Sequence, residues 1–414
     1  MVSALVILTV ADSELACFAA AASTLPKGPS VRLANLLQLR HPYSVDLYVE
    51  KTIAHARFVC VVLLGGKSYW PYGIDEIATL ARAKGIAFAA IADGSESDPA
   101  LDRASTLPAD VRERLRDYLR QGGVANATSF LRTAARLIGA EWGTPDDPVP
   151  VADAGLYLSG IERPSIADLR ARWTEGAPIA QLIFYRALTI AGTLDTVDAI
   201  IQSLQARGFN VAASYVRSLR EPFAVDWLGG LLGEIQPDVI VNATSFAASS
   251  SGDNRTPGVL EKANCPILQV AFAGVDHDDW QQSARGLGPR DLAMNVVLPE
   301  VDGRIFTRAV AFKAAERFDE LTQCGIVVPK VAPDRVAFVA SLAANWAALR
   351  RASPTERRIA LVLANYPNRD GRIGNGVGLD TPASAAAILS ALDQSGYDIG
   401  SAPQTNADSM AIMT

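Results

Sequence analysis

The chain has 414 residues, 49% of them hydrophobic and 20% charged, with a formal net charge of −6. This composition excludes an intrinsically disordered chain, and the acidic balance argues against nucleic acid as the main partner. No apolar run reaches the length of a membrane helix, and the four cysteines, Cys17, Cys60, Cys265 and Cys324, form no CxxC pair, which implies a reduced, cytoplasmic setting.

The apolar start Ala4–Val10 has no basic segment before it and Asp12 and Glu14 just after it, so it reads as a first strand and not as a signal peptide. A helix over Asp12–Ala22 follows, with Asp12 or Ser13 as its cap. Arg32–Leu39 is strand or helix, and Pro42–Ala56 has helical spacing. Phe58–Leu64 is a buried strand, Ile74–Ala83 a helix and Ile86–Ile91 a further strand. Two helices, Ala109–Gln121 and Asn126–Ile138, lead to the Pro- and Asp-rich linker Trp142–Pro150. Beyond it the alternation resumes. Strands are expected at Gln181–Arg186, Asn210–Tyr215, Val239–Asn242 and Pro266–Ala271, and helices at Thr196–Arg207, Phe223–Leu232 and Val336–Leu349, the last capped by Asp334. Ile359–Ala364 reads as a buried parallel strand and Ala385–Gly396 as a helix capped by Asp380 or Thr381. This rhythm predicts an α/β protein of successive Rossmann-like parallel-sheet units flanked by helices, with domains at 1–143, 151–350 and 357–414, the last unit truncated.

The densest group of candidate ligand-binding residues lies between that last strand and helix. Gly371, Gly374, Gly376 and Gly378 let the backbone bend and approach a bound group. Asn365, Asn368, Arg369, Arg372 and Asn375 supply hydrogen-bonding groups where α/β folds place their ligands. In Ser283–Asp291, Arg285 and Arg290 flank paired glycines and either clamp carboxylates or pair with neighbours such as Asp291. Asn242–Phe246 ends a strand in small polar residues. Tyr69, Trp70 and Tyr72 offer flat faces next to a polar loop and either line a ligand pocket or pack the domain interface. Gly65–Ser68 lacks the spacing of a phosphate loop. Histidine is scarce: His55 reads as structural, His277 as part of a solvated helix start, and His41 as a metal or substrate contact or a turn histidine bonded to backbone. No HxxxH or HExxH spacing occurs, so no preformed metal site is expected.

Asn365–Ser384 resembles the signature of the large subunit of aerobic cobaltochelatase, a relative of the large magnesium-chelatase subunit. Arg32–Ser44, Gly65–Gly73, Asn242–Phe246, Ser283–Asp291 and Pro299–Arg304 carry the same resemblance, which runs from about residue 5 to about residue 400. It implies a porphyrinoid-binding subunit that serves insertion of Co2+, as substrate, into hydrogenobyrinic acid a,c-diamide in aerobic cobalamin biosynthesis. ATP, with Mg2+, would be hydrolysed on an AAA+ partner assisted by an integrin-like subunit. Such subunits are much longer than 414 residues. The chain resembles their N-terminal part, Ser401–Thr414 reads as a truncation or a frame change, and no catalytic residue is assigned. The alternatives are a magnesium-chelatase-like fragment and a non-catalytic α/β ligand-binding module.

Overall fold

The computed structural model describes residues 4–93, 98–161, 163–249, 257–313, 317–363 and 378–402. Four apolar runs build the first sheet: β1 (Leu5–Thr9), β2 (Val31–Asn35), β3 (Phe58–Leu64) and β4 (Ala87–Asp93). They pair in parallel in the order β2-β1-β3-β4, with Leu5 opposite both Val31 and Phe58. Both faces are covered, which is why the central strands β1 and β3 are apolar almost throughout, while the edge strand β2 carries Arg32 and Asn35. Leu5 and Ile7 pack with Phe18, Tyr118 and Phe130 on one face, while Val6 and Leu8 pack with Val45, Ile74 and Ile77 on the other. The segment Arg32–Leu39 resolves into both options: β2, then a 3-10 turn at Leu36–Gln38.

The first helix runs Asp12–Thr24, but neither Asp12 nor Ser13 caps it. Ala11 holds the cap position, and the Asp12 carboxylate is taken by Asn35 and Lys313. Asp334 likewise lies inside the first turn of its helix, which begins one residue earlier, at Pro333, and runs to Arg351.

The second sheet has seven strands: β5 (Ala154–Tyr157), β6 (Ile179–Tyr185), β7 (Asn210–Val216), β8 (Val239–Asn242), β9 (Ile267–Asp276), β10 (Ile305–Lys313) and β13 (Pro329–Val331). Their order is β13-β10-β9-β8-β6-β7-β5, parallel except for the antiparallel edges β5 and β13. Between β10 and β13 the chain forms a hairpin, β11 (Arg317–Asp319) with β12 (Cys324–Ile326). This hairpin belongs to the first sheet's core: Leu33 N–H donates to the Thr322 carbonyl at 3.0 Å and Cys324 packs beside Leu33.

In each sheet the strand order reverses next to its first parallel strand, between β1 and β3 in one and between β6 and β8 in the other. Such switch points leave a crevice at the carboxyl ends of the strands.

The chain divides into two units, Met1–Ala343, which holds both sheets, and Ala344–Thr414. In the second, the helix Thr381–Gln394 is capped by Asp380, whose carboxylate accepts from Ala383 N–H at 3.0 Å. The expected strand at Ile359–Ala364 does not hold. Residues 359–363 carry no regular structure, and Val362 is 87% exposed. A continuous apolar run becomes a buried strand only against a neighbouring strand, and the described residues of this unit supply none. Among the described residues no helix is long and apolar enough to cross a membrane.

Candidate functional site

The carboxyl ends of the two sheets face each other across a cleft of about 610 Å3. Val10 after β1 and Leu37 after β2 line one wall. Ser245 after β8, Gly274 and Val275 near the end of β9, and Lys313 at the end of β10 line the other. A smaller cavity shares Ser13 with it and reaches Val62 of β3 and Arg186 after β6, so both switch points open on the same region.

A clasp joins the walls. Asp12 Oδ2 lies 2.8 Å from Lys313 Nζ, and Asp12 Oδ1 accepts from Asn35 Nδ2 at 2.9 Å. Asp291 accepts from Gly274 N–H at 3.0 Å, which fixes the turn carrying Arg290 at the cleft's edge.

Behind the second wall lies a polar network with almost no solvent access. Asn242 donates to Gln269 Oε1 at 2.7 Å and to the Thr244 carbonyl at 3.0 Å, while Gln269 Nε2 donates to the same carbonyl at 2.9 Å. Arg304 reaches Gln269 Oε1 at 3.4 Å and pairs with Asp302 at 2.6 Å. Asp302 also accepts from Ala248 N–H at 2.6 Å, Ser249 N–H at 3.0 Å and Ser249 Oγ. Burial works against ionisation of Asp302, but these donors and Arg304 outweigh it and hold the carboxyl below the usual range. A buried network this well partnered rigidifies the loop it supports.

The loop after β8 is set by that network. Tyr185 Oη accepts from Ser245 N–H at 3.0 Å across the switch point. Ser245 Oγ donates to Asn295 Oδ1 at 2.7 Å. Asn295 lies in a π-helical turn, Ala293–Val297, a rare geometry that gathers at functional sites. Phe246 holds φ +65°, uncommon for a bulky residue, while its N–H donates to the Met294 carbonyl at 2.9 Å.

The candidates from sequence fall in different places. Arg290 lines the cleft, and Arg285 sits on the exposed turn before it. His41 is exposed and caps the helix Pro42–Lys51, its Nδ1 accepting from Tyr43 N–H at 3.2 Å. Tyr69 is exposed. Trp70 is not available to a ligand: it lies in the core, its indole N–H donates to the Leu39 carbonyl at 2.8 Å, and its ring covers Gly73. The loop Gly65–Ser68 is engaged internally, with Lys67 N–H on Asp98 at 2.7 Å and Lys67 Nζ on Asp75 at 2.6 Å. His277 is not the cap of its helix; Asp276 is, and the His277 ring meets Phe312 edge-on at 4.9 Å. Asn365, Asn368, Arg369, Arg372 and Asn375 lie outside the described residues. Sequence reasoning missed Asp12, Lys313, Gln269 and Arg186. Gln269 inside the apolar run of β9 was the available signal for the buried network.

Residues 116–414 match the family model CobN/Magnesium Chelatase. The chain is 45% identical over 405 residues to an aerobic cobaltochelatase subunit CobN of Sinorhizobium sp, a match covering 96% of this chain and 32% of that protein. The subunit of the same name from Pseudomonas aeruginosa is 39% identical over 407 residues, covering 98% and 32%. The chloroplastic magnesium-chelatase subunit ChlH of Oryza sativa subsp. indica is 25% identical over 336 residues, covering 72% and 23%. The solved catalytic subunit of cobaltochelatase from Mycobacterium tuberculosis superimposes with a TM-score of 0.68 at 30% identity, covering 99% of this chain and 32% of that one. The chain spans about a third of the length of these cobaltochelatase relatives.

Proposed function

Because this chain belongs to the CobN/magnesium-chelatase family, we propose that it is the N-terminal part of the porphyrinoid-binding large subunit of an ATP-dependent cobaltochelatase. In this reading the whole subunit inserts Co2+ into hydrogenobyrinic acid a,c-diamide. The observation that carries the cobalt assignment is identity of 45% across 96% of the chain to a cobaltochelatase subunit, against 25% over a shorter match to a magnesium-chelatase subunit. ATP and Mg2+ belong to separate AAA+ and integrin-like subunits. Lys67 and its loop are already committed to Asp75 and Asp98, which supports leaving nucleotide to those partners.

Metal insertion requires two ring protons to leave as the ion enters, and general bases at the pyrrole nitrogens accept them. No residue of this chain is assigned that role. Its part is to hold the macrocycle's edge. The favoured contacts are Arg290 at the cleft, with Arg285 beside it, and Asn365, Asn368, Arg369, Arg372 and Asn375. His41 and Tyr69 are exposed secondary candidates. Guanidinium groups suit the carboxylate arms of such a substrate, and a local basic rim can serve an acidic protein because nearby charges outweigh distant ones.

Titrating the chain with hydrogenobyrinic acid a,c-diamide and with protoporphyrin, followed by tryptophan quenching, tests this. Saturable quenching by the corrinoid at lower concentration than by the porphyrin supports the cobalt reading. Preference for the porphyrin favours the magnesium branch, and quenching by neither removes the binding role from this part of the subunit.

A further inference from the structure

The smaller cavity beside the main cleft, about 200 Å3, has four arginines in its wall: Arg116, Arg120, Arg186 and Arg217. Two of them are exposed enough to be screened. Arg120 pairs with Asp117 at 3.0 Å, and Arg217 stands 3.8 Å from Asp153. The other two are buried. Arg186 is 6% exposed, and its hydrogen bonds go to neutral carbonyls: Ala152 at 3.0 Å, Gln121 at 2.9 Å and Val151 at 3.0 Å. Arg116 is 8% exposed; it contacts Glu113, and Asp102 at 3.7 Å, yet its buried Nε has no hydrogen-bond partner. The wall's carboxylate is Glu14, which accepts from Thr9. The cavity also receives Gly122 and Gly123, where the helix Val124–Leu137 begins without a side-chain cap, so its positive end adds to the same field.

Arg116 has its own carboxylate partners, but burying the Arg186 guanidinium against neutral carbonyls is costly unless an anion offsets it. Burial draws the Arg186 pKa down, with Asp153 opposing, in keeping with that cost. We propose that this cavity is an oxyanion site in which Arg116 and Arg186, with the start of the helix Val124–Leu137, hold a carboxylate or phosphate group. Arg217 and Arg120 stand at its exposed rim. Two sources share this chemistry: a carboxylate arm of the macrocycle whose body occupies the adjoining cleft, or a free anion. The first rests on the macrocycle reading above, and the second stands without it.

Isothermal titration calorimetry of the full 414-residue chain with inorganic phosphate, and separately with uroporphyrin, whose side arms are carboxylates, tests the site at constant ionic strength set by chloride. The probes are compared in the parent, Arg116→Gln, Arg217→Gln and, as a control outside the cavity, Arg170→Gln. Saturable binding of either probe, weakened about tenfold by Arg116→Gln and about threefold by Arg217→Gln but unchanged by Arg170→Gln, supports the proposal. Phosphate binding alone assigns a free anion, even if the macrocycle reading fails; uroporphyrin binding alone assigns a macrocycle arm. If Arg116→Gln lowers the melting temperature too far to titrate, the rim variant Arg217→Gln decides. Absence of binding by both probes, or binding equally strong in the arginine variants, overturns the oxyanion site.

Discussion

Replacing Asp302 with Asn removes one charge from a pair in which the Arg304 side chain is 0% and the Asp302 side chain 3% exposed. The guanidinium stays charged, because arginine does not release its proton near neutrality. The new amide would also turn a donor toward Ala248 N–H or Ser249 N–H, which now donate to the carboxylate. Breaking a buried pair from one side costs about 3–5 kcal/mol. The unit Met1–Ala343 has 343 residues, and at roughly 2.1 cal/mol/K per residue its unfolding entropy is about 0.7 kcal/mol/K. The expected fall in melting temperature is therefore about 4–7 °C at pH 7, measured by circular dichroism. The acid limb sharpens the test. Asp302 has a folded pKa depressed from 3.8, so its stabilisation is complete well above that value and is lost as pH falls through the folded value. Between 3.8 and the lower folded value the gap between parent and variant should close by about 1.4 kcal/mol, or roughly 2 °C, per pH unit of descent. A variant melting within about 1 °C of the parent at pH 7, or a gap that ignores acid, would refute the argument that this carboxylate compensates Arg304.

Two glycines should respond to alanine with opposite signs. A Cβ at Gly73 would lie 2.2 Å from the Trp70 ring, so Gly73→Ala should destabilise by about 1–3 kcal/mol. Gly230, inside the helix Pro222–Ile235, has open space there, so Gly230→Ala should stabilise by about 0.5–1 kcal/mol; urea midpoints read both. Trp70→Phe leaves the Leu39 carbonyl without its indole donor and should cost about 1–3 kcal/mol while leaving porphyrinoid affinity unchanged; a loss of affinity at unchanged stability would return Trp70 to the binding site. Iodoacetamide should modify Cys265 before Cys17, whose thiol burial pushes up to about 12; peptide mass mapping that finds Cys17 labelled first would contradict its placement.

The strands were legible because a strand covered on both faces must be apolar throughout, and Phe58–Leu64 and Val239–Asn242 have the bounds read from the sequence. The same rule misled at Ile359–Leu363, since an apolar run carries no mark of whether a neighbouring strand exists to receive it. Trp70 looked like a surface for a ligand because it follows a polar turn. Its burial depends on Gly73 leaving room for the indole, a contact that one turn of helix creates and a linear string hides. The cleft was least legible. Asp12 meets Lys313, and Asn242 meets Gln269, only after two sheets have formed. Arg186 looked like the last residue of a strand, whereas it anchors the linker through the carbonyls of Val151 and Ala152.

The hairpin β11–β12 has a mechanical consequence. The chain passes from the first sheet to the second through the segment after Ile138, returns to pack Thr322 and Cys324 against β2, and crosses again to place β13 beside β10. The sheets are thus tied by more than the linker after Ile138, since only Val327 and Val328, both in the cleft wall, separate β12 on the first sheet's core from β13 on the second sheet. The Asp12–Lys313 pair at the end of β10 adds a side-chain tie to these backbone ones, so the two walls of the cleft are joined by covalent chain and by charge together.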